Sequence, residues 1–102
     1  MENQTANENN AIVQPDILHI KSWQSIKAKY NNAVVLLRIE AYYFAFDNDA
    51  YTLSSITGIA TTDCEQLKMQ CCFPANQLDI YLNKLVKAGN RVAICDQLVS
   101  PL

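Results

Sequence analysis

The run from Ala33 to Phe46, AVVLLRIEAYYFAF, constrains the fold more than any other stretch of the chain. Its first half, Val34-Val35-Leu36-Leu37-Arg38-Ile39, is β-branched and aliphatic and too short for a typical helix, which predicts a buried strand over 33–39. Further on, Tyr43, Phe46, Ala50 and Leu53 recur at helical spacing. The reading therefore passes from strand into helix near Glu40-Ala41 and continues to about Thr57, with Gly58 as the C-terminal cap. Three consecutive aromatics, Tyr42, Tyr43 and Phe44, fall at that junction. On a helical wheel Tyr43, Phe46, Ala50 and Leu53 form the core face, and Phe44, Asn48, Tyr51 and Ser55 lie opposite, with Tyr42 at the edge of the core face. Two uses of the Phe44–Tyr51 side stay open. It is covered by another part of the domain, such as the 11–14 segment, or it is an exposed aromatic patch for a protein partner or self-association.

The rest of the chain supplies layers around this run. Residues 1–14 are rich in Asn, Gln and Glu and read as a flexible N-terminal arm, leaving 15–102 as a single domain. Asp16 is placed to cap a first helix whose inner face is Ile20, Trp23, Ile26, Lys27 and Tyr30, stopped by Asn31-Asn32. Residues 59–73 predict two strands. In the second, Leu67, Met69, Cys71 and Phe73 alternate with Gln66, Lys68, Gln70 and Cys72, so Cys71 faces the core and Cys72 the other side. Asn76 and Asp79 resemble a capping box for a helix with the stripe Leu78, Tyr81, Leu82, Leu85, ended by Gly89. Arg91–Cys95 returns as a buried strand, and 100–102 is a tail. The order helix, strand, helix, strand, strand, helix, strand predicts a mixed α/β fold, a small mixed sheet flanked by helices. The simplest topology makes 33–64 a right-handed parallel crossover.

Chemistry is mostly excluded. A chain with only two glycines, Gly58 and Gly89, holds neither a phosphate-binding GxxxxGK[ST] loop nor a GxGxxG turn, so no nucleotide site is expected. The single histidine, His19, has no nucleophile at a meaningful spacing, and Asp47, Asp49, Asp63 and Glu65 lie in polar contexts that read as solvated. Cys64, Cys71, Cys72 and Cys95 lack the spacing of a zinc site and read as reduced, mostly buried thiols. The expectation is a cytoplasmic, non-enzymatic chain with no catalytic residue, no cofactor, no metal and no membrane contact.

Several segments resemble the N-terminal mismatch-recognition domain, domain I, of the bacterial mismatch-repair protein MutS. Lys27-Ala28-Lys29-Tyr30 and Ala33–Arg38 are similar to the family's KAQYPDAILLFR, Phe73-Pro74 and Lys84-Leu85-Val86-Lys87 with Gly89 follow it, and Arg91–Gln97 is similar to YRVAICEQ. The resemblance covers roughly 17–101 and implies a mixed sheet flanked by helices. The family pattern also continues with a further strand-like segment, which implies an exposed sheet edge here. In the family the central strand ends in GDFYEMF, whose Phe wedges beside a mispaired base while the Glu hydrogen-bonds it. Carried over residue by residue, the Gly becomes Glu40, the Asp Ala41, the wedging Phe Tyr42, and the Glu Phe44. Tyr42 keeps a flat face for stacking; Phe44 has no acceptor to replace the carboxylate. From Glu40 to Asp79, six acids stand against Lys68 alone, a local net of −5 where duplex binding draws on Lys and Arg. The resemblance thus implies Tyr42 and Phe44 as the nucleic-acid-contacting pair, with weak duplex DNA binding and a degraded reading motif. The alternative is a protein-interaction module that uses Phe44 and Tyr51 and does not bind DNA.

Overall fold

The computed structural model describes residues 14–96; the N-terminal arm before Gln14 and the C-terminal tail lie outside them. The elements are α1 (Ile17–Lys29), β1 (Ala33–Ile39), β2 (Tyr42–Phe46), α2 (Asp47–Thr57), β3 (Thr62–Asp63), β4 (Met69–Pro74), α3 (Leu78–Lys87) and β5 (Arg91–Cys95), with a 3₁₀ turn at Ala75–Gln77 before α3. The strands form one five-stranded sheet in the order β3-β4-β2-β1-β5. Among the described residues only β1 and β5 are parallel, with Val34 opposite Val92 and Leu36 opposite Ile94. The pairs β1–β2, β2–β4 and β3–β4 are antiparallel. The fold is mixed α/β, as the element pattern predicts.

Two cores follow from the period-two alternation of side chains. Val34, Leu36, Tyr43, Ala45, Cys71 and Phe73 point to the face covered by α2 (Ala50, Leu53) and α3 (Leu85). Val35, Leu37, Ile39, Phe44 and Phe46 point to the face covered by α1 (Ile20, Trp23). A strand buried on both faces reads as an unbroken apolar run, which is why Val34–Leu37 shows no alternation in sequence. Cys71 and Cys72 separate as expected, one packed in each core. The alternation begins at Met69; Leu67 precedes the strand and packs on the α1 side.

Asp16 caps α1 through a full capping box: its Oδ1 accepts from the His19 amide at 3.0 Å, and His19 Nδ1 accepts from the Asp16 amide at 3.1 Å. His19 is thus engaged in a helix cap. Gly58 (φ 84°) ends α2, and its amide bonds the Ser54 carbonyl at 2.8 Å. An L side chain adopts that φ only under strain.

Several sequence expectations are corrected. Residues 42–46 form a strand, because a tight turn at Glu40-Ala41 folds them back on β1 with Ile39 opposite Tyr42; the helix begins at Asp47. The 33–64 unit is not a parallel crossover, since β3 pairs only with β4 and β1's parallel partner is β5. Asn76 does not cap α3; it lies in the 3₁₀ turn, and Gln77 holds the N-cap without a side-chain bond. Tyr30 is the C-cap of α1 and is exposed.

Asp49, read as solvated, is buried. On the side of β1 that β2 leaves at its turn into α2, three side chains replace the missing ladder. Asp49 Oδ2 accepts from the Val35 amide at 3.0 Å, Trp23 Nε1 donates to the Val35 carbonyl at 2.9 Å, and Lys27 Nζ donates to the Ala33 carbonyl at 2.6 Å. Lys27 also reaches Asp49 Oδ1 at 3.0 Å. A buried carboxylate needs such a counter-charge and donors.

Candidate nucleic-acid interface

The residues matched to the family's reading motif sit at the closed end of the β1–β2 hairpin. The two-residue loop Glu40-Ala41 has a positive φ, 57°, at Glu40, the position where a hairpin of this kind favours glycine and where the resemblance placed the family's Gly. The turn is braced from outside. Arg38 Nε donates to the Glu40 carbonyl at 2.9 Å, and the Ala75 amide donates to the Ala41 carbonyl at 2.7 Å.

Tyr42 and Phe44, two positions apart on one strand, point to the same face of the sheet, the α1 face. Their exposure differs. Tyr42 is half-buried at the rim and lines a shallow depression of about 280 Å³ with Arg38, Ala41, Pro74, Ala75 and Asn76. Phe44 is 0% exposed, its ring stacked on Phe46 at 6.0 Å with an 11° interplanar angle. Phe46 in turn meets Trp23 edge-on at 5.4 Å. Phe44 is therefore a core side chain.

The exposed Phe44–Tyr51 face does not form. Tyr51 is 64% exposed on α2, whose inner residues Ala50 and Leu53 pack on the face of the sheet opposite to Phe44. The helical wheel that joined the two rings does not apply to residue 44, because its strand turns side chains by half a revolution per residue. Phe44 is covered by Ile20 and Trp23 of α1.

A second polar set on the other face of the hairpin was not anticipated. The Tyr43 hydroxyl donates to Asp96 Oδ1 at 2.7 Å, and the Arg38 guanidinium lies 3.5 Å from the same oxygen. Burial, then the Asp96 carboxylate, push the Tyr43 phenol above its ordinary pKa. This set ties the end of β5 to the hairpin and fixes Arg38 beside the turn. The matching signal was Asp96 itself, directly after the apolar run of the last strand.

The acidity counted from sequence is also redistributed. Asp49 is paired with Lys27 from α1, and Asp47 Oδ1 accepts from the Lys68 amide at 2.8 Å. Glu40, Asp63, Glu65 and Asp79 are exposed. Burial raises both adjacent thiols, with Cys71 pushed up to about 12, which disfavours a reactive thiolate. Among the described residues no cluster of His, Cys, Asp and Glu is arranged to hold a metal ion, and no helix is long and apolar enough to cross a membrane.

Residues 19–102 match the family model of MutS domain I. The chain is 42% identical over 86 residues to a protein of Porphyromonas gingivalis named DNA mismatch repair protein MutS, covering 80% of this chain and 10% of that protein. The proteins of the same name from Bacteroides thetaiotaomicron, 42% identical over 86 residues, and Fervidobacterium nodosum, 42% over 82, show the same coverage of 80% and 10%. The chain thus spans about a tenth of the length of the curated relatives it matches. The turn at Glu40, the aromatic strand behind it and the matched segments agree on one assignment: the chain belongs to the MutS domain I family.

Proposed function

We propose that this chain is a cytoplasmic, non-catalytic module that contacts duplex DNA through the hairpin end, chiefly Tyr42 and Arg38, and does not distinguish a mispaired base from a paired one. The observation that carries this reading is the contrast between Tyr42, open at the rim, and Phe44, sealed under α1. An aromatic ring at the surface stacks on any base, since every base has a π-face. The neighbouring guanidinium of Arg38 and the amide of Asn76 offer donors to phosphate or sugar oxygens. An acceptor that would read the displaced base has no place at position 44, where the side chain is apolar and buried. The relatives' name, DNA mismatch repair protein MutS, supports DNA as the partner class. The exposed acids near the hairpin argue for weak, salt-sensitive binding.

Fluorescence anisotropy with matched and G·T-containing duplexes at low salt tests both parts. The expected dissociation constant falls in the non-specific range of about 10⁻⁴–10⁻⁶ M, with a mismatch preference below about threefold, since a charge-assisted hydrogen bond of about 1.5–3 kcal/mol is absent. Tyr42→Ala is expected to weaken binding by about fivefold or more, the loss of one stacked base. A preference for the mismatch above about tenfold overturns the loss of reading. Absence of binding in about 50 mM salt at the top of that range overturns the DNA contact.

A further inference from the structure

Charge is segregated along this chain. From 17 to 39 the bases Lys21, Lys27, Lys29 and Arg38 stand without an acid, and from 80 to 95 so do Lys84, Lys87 and Arg91. The fold brings parts of these two segments together, because β5 lies parallel to β1 with Arg91 opposite Ala33. By alternation Arg91 faces the same side as Ala93 and Cys95, which pack on the α1 face of the sheet. There the start of β5 meets the end of α1, and Lys29, Tyr30 and Arg91 line one groove of about 600 Å³. A second depression, of about 370 Å³, is lined by Lys21, Ser22 and Ser25 on the outward stripe of α1. Ile26 lines both, so the two adjoin, and among the described residues no acid lines either. Lys27 takes no part, being committed to Asp49 and the Ala33 carbonyl. Lys21, Lys29 and Arg91 are exposed, and Tyr30 is 54% exposed.

We propose that this track along α1 holds a single-stranded nucleic acid, with phosphates on Lys21, Lys29 and Arg91 and one base against the ring of Tyr30. Charge complementarity selects a polyanion. Lys21 and Lys29 stand eight residues apart, about 12 Å along the helix, so successive cations meet a repeating charge. The hydroxyls of Ser22 and Ser25 between them are groups that donate to phosphate oxygens. Tyr30 selects the single strand among polyanions. A ring more than half exposed beside two cations offers a stacking face to an unpaired base, whereas in a duplex the base faces are stacked on one another. An acidic peptide has charge for the lysines and nothing flat for the ring. The track meets β1 at Ala33, and the hairpin lies beyond Ile39 at the other end of that strand, about 20 Å away. Strand binding along α1 is therefore separate from the duplex contact at Tyr42.

The test is fluorescence anisotropy of a labelled oligothymidylate, about 12 nucleotides long, with the 102-residue chain at several salt concentrations. The expected dissociation constant is about 10⁻⁴–10⁻⁶ M, and three phosphate contacts predict a slope of log affinity against log salt of about −2, at about 0.7 for each contact. Lys21→Gln, Lys29→Gln and Arg91→Gln should each make that slope shallower by about 0.7. Lys84→Gln and Lys87→Gln remove the same charge from α3, which covers the opposite face of the sheet, and should leave the slope unchanged. Tyr30→Ala should weaken binding at least about fivefold, and Tyr30→Phe, which keeps the ring, should not. All of these positions are exposed, and far-UV circular dichroism confirms that each variant is folded. Absence of binding in about 50 mM salt at the top of the expected range overturns the proposal. So do α3 variants that change the slope as much as the track variants do, a Tyr30→Ala chain that binds like the parent, or polyglutamate that competes as well as a second oligothymidylate. Tyr42→Ala reads the duplex contact and Tyr30→Ala the strand, and either fails without the other.

Discussion

Restoring a carboxylate at position 44 is the obvious attempt to recover an acceptor beside Tyr42, and the structure predicts that Phe44→Glu unfolds the domain instead. Phe44 is 0% exposed in a cluster whose buried members are Ile20, Trp23, Val35, Leu37, Ile39 and Phe46, with the Trp23 indole already committed to the Val35 carbonyl and Cys72, opposite on β4, offering only a weak S–H donor. Removing a buried phenylalanine ring costs about 3–5 kcal/mol. The glutamate methylenes return part of that, about 1 kcal/mol. Keeping the new acid neutral at pH 7, against an ordinary pKa near 4.3, costs about 3.7 kcal/mol, and leaving it ionised and unpaired costs at least as much. The total of about 6–8 kcal/mol falls within the lower half of the usual stability range of about 5–15 kcal/mol. Urea denaturation followed by the fluorescence of Trp23, the chain's only tryptophan, together with far-UV circular dichroism, measures it. Phe44→Glu should be unfolded or retain little stability at pH 7 and recover part of it near pH 4, where the acid is mostly neutral in both states. Phe44→Leu, which keeps the site apolar, should fold. A folded Phe44→Glu within about 2 kcal/mol of the parent at pH 7 would refute the sealed face, since water or a donor would then reach position 44.

Two further predictions concern the polar clamp and the turn. Asp49→Ala leaves the Val35 amide without its acceptor and Lys27 without its counter-charge; it should destabilise by about 2–4 kcal/mol in urea denaturation, and Asp49→Asn, which keeps an acceptor for the amide, by less. Glu40→Gly relieves a side chain held at φ 57°. After the entropy of the added glycine is set against that relief, a net stabilisation of about 0.5–1 kcal/mol should appear as a higher urea midpoint at unchanged slope.

The elements legible in the sequence were those in which one physical signal dominates. Asp16 before an amphipathic run located α1, and the aliphatic run Val34–Ile39 identified a buried strand. Strand β2 was not legible for a related reason. Four of its five residues are buried, so it has no polar–apolar alternation to mark a period of two. Phe46, Ala50 and Leu53 do carry a helical spacing, because Phe46 is the N-cap of α2. Tyr43 falls three residues before Phe46 by coincidence, which extended the apparent helix backward by one turn. The decisive feature was the turn at Glu40-Ala41, and neither residue is a turn former. Asp49 looked solvated because its neighbours Asp47 and Asn48 are polar and its partner, Lys27, lies 22 positions away. A pairing of that range leaves no local trace.

These misreadings bear on the site, because the status of Phe44 depends on which period its segment obeys. In a helix, residue 44 would share an outward face with Tyr51. In a strand, it shares a face with Phe46 and Tyr42, and α1 closes that face as far as the rim. The boundary between core and surface therefore runs between residues 44 and 42 of a single strand. A ring at 44 contributes to folding, and a ring at 42 remains available to a ligand. On the proposed reading, the apolar side chain at 44 is inseparable from the cluster beneath α1 that it completes. An acceptor beside Tyr42 would then require several coordinated changes among Ile20, Trp23, Ile39 and Phe44, since exchange at 44 alone sets a carboxylate in a buried cluster whose one strong donor, the Trp23 indole, is already committed to the Val35 carbonyl.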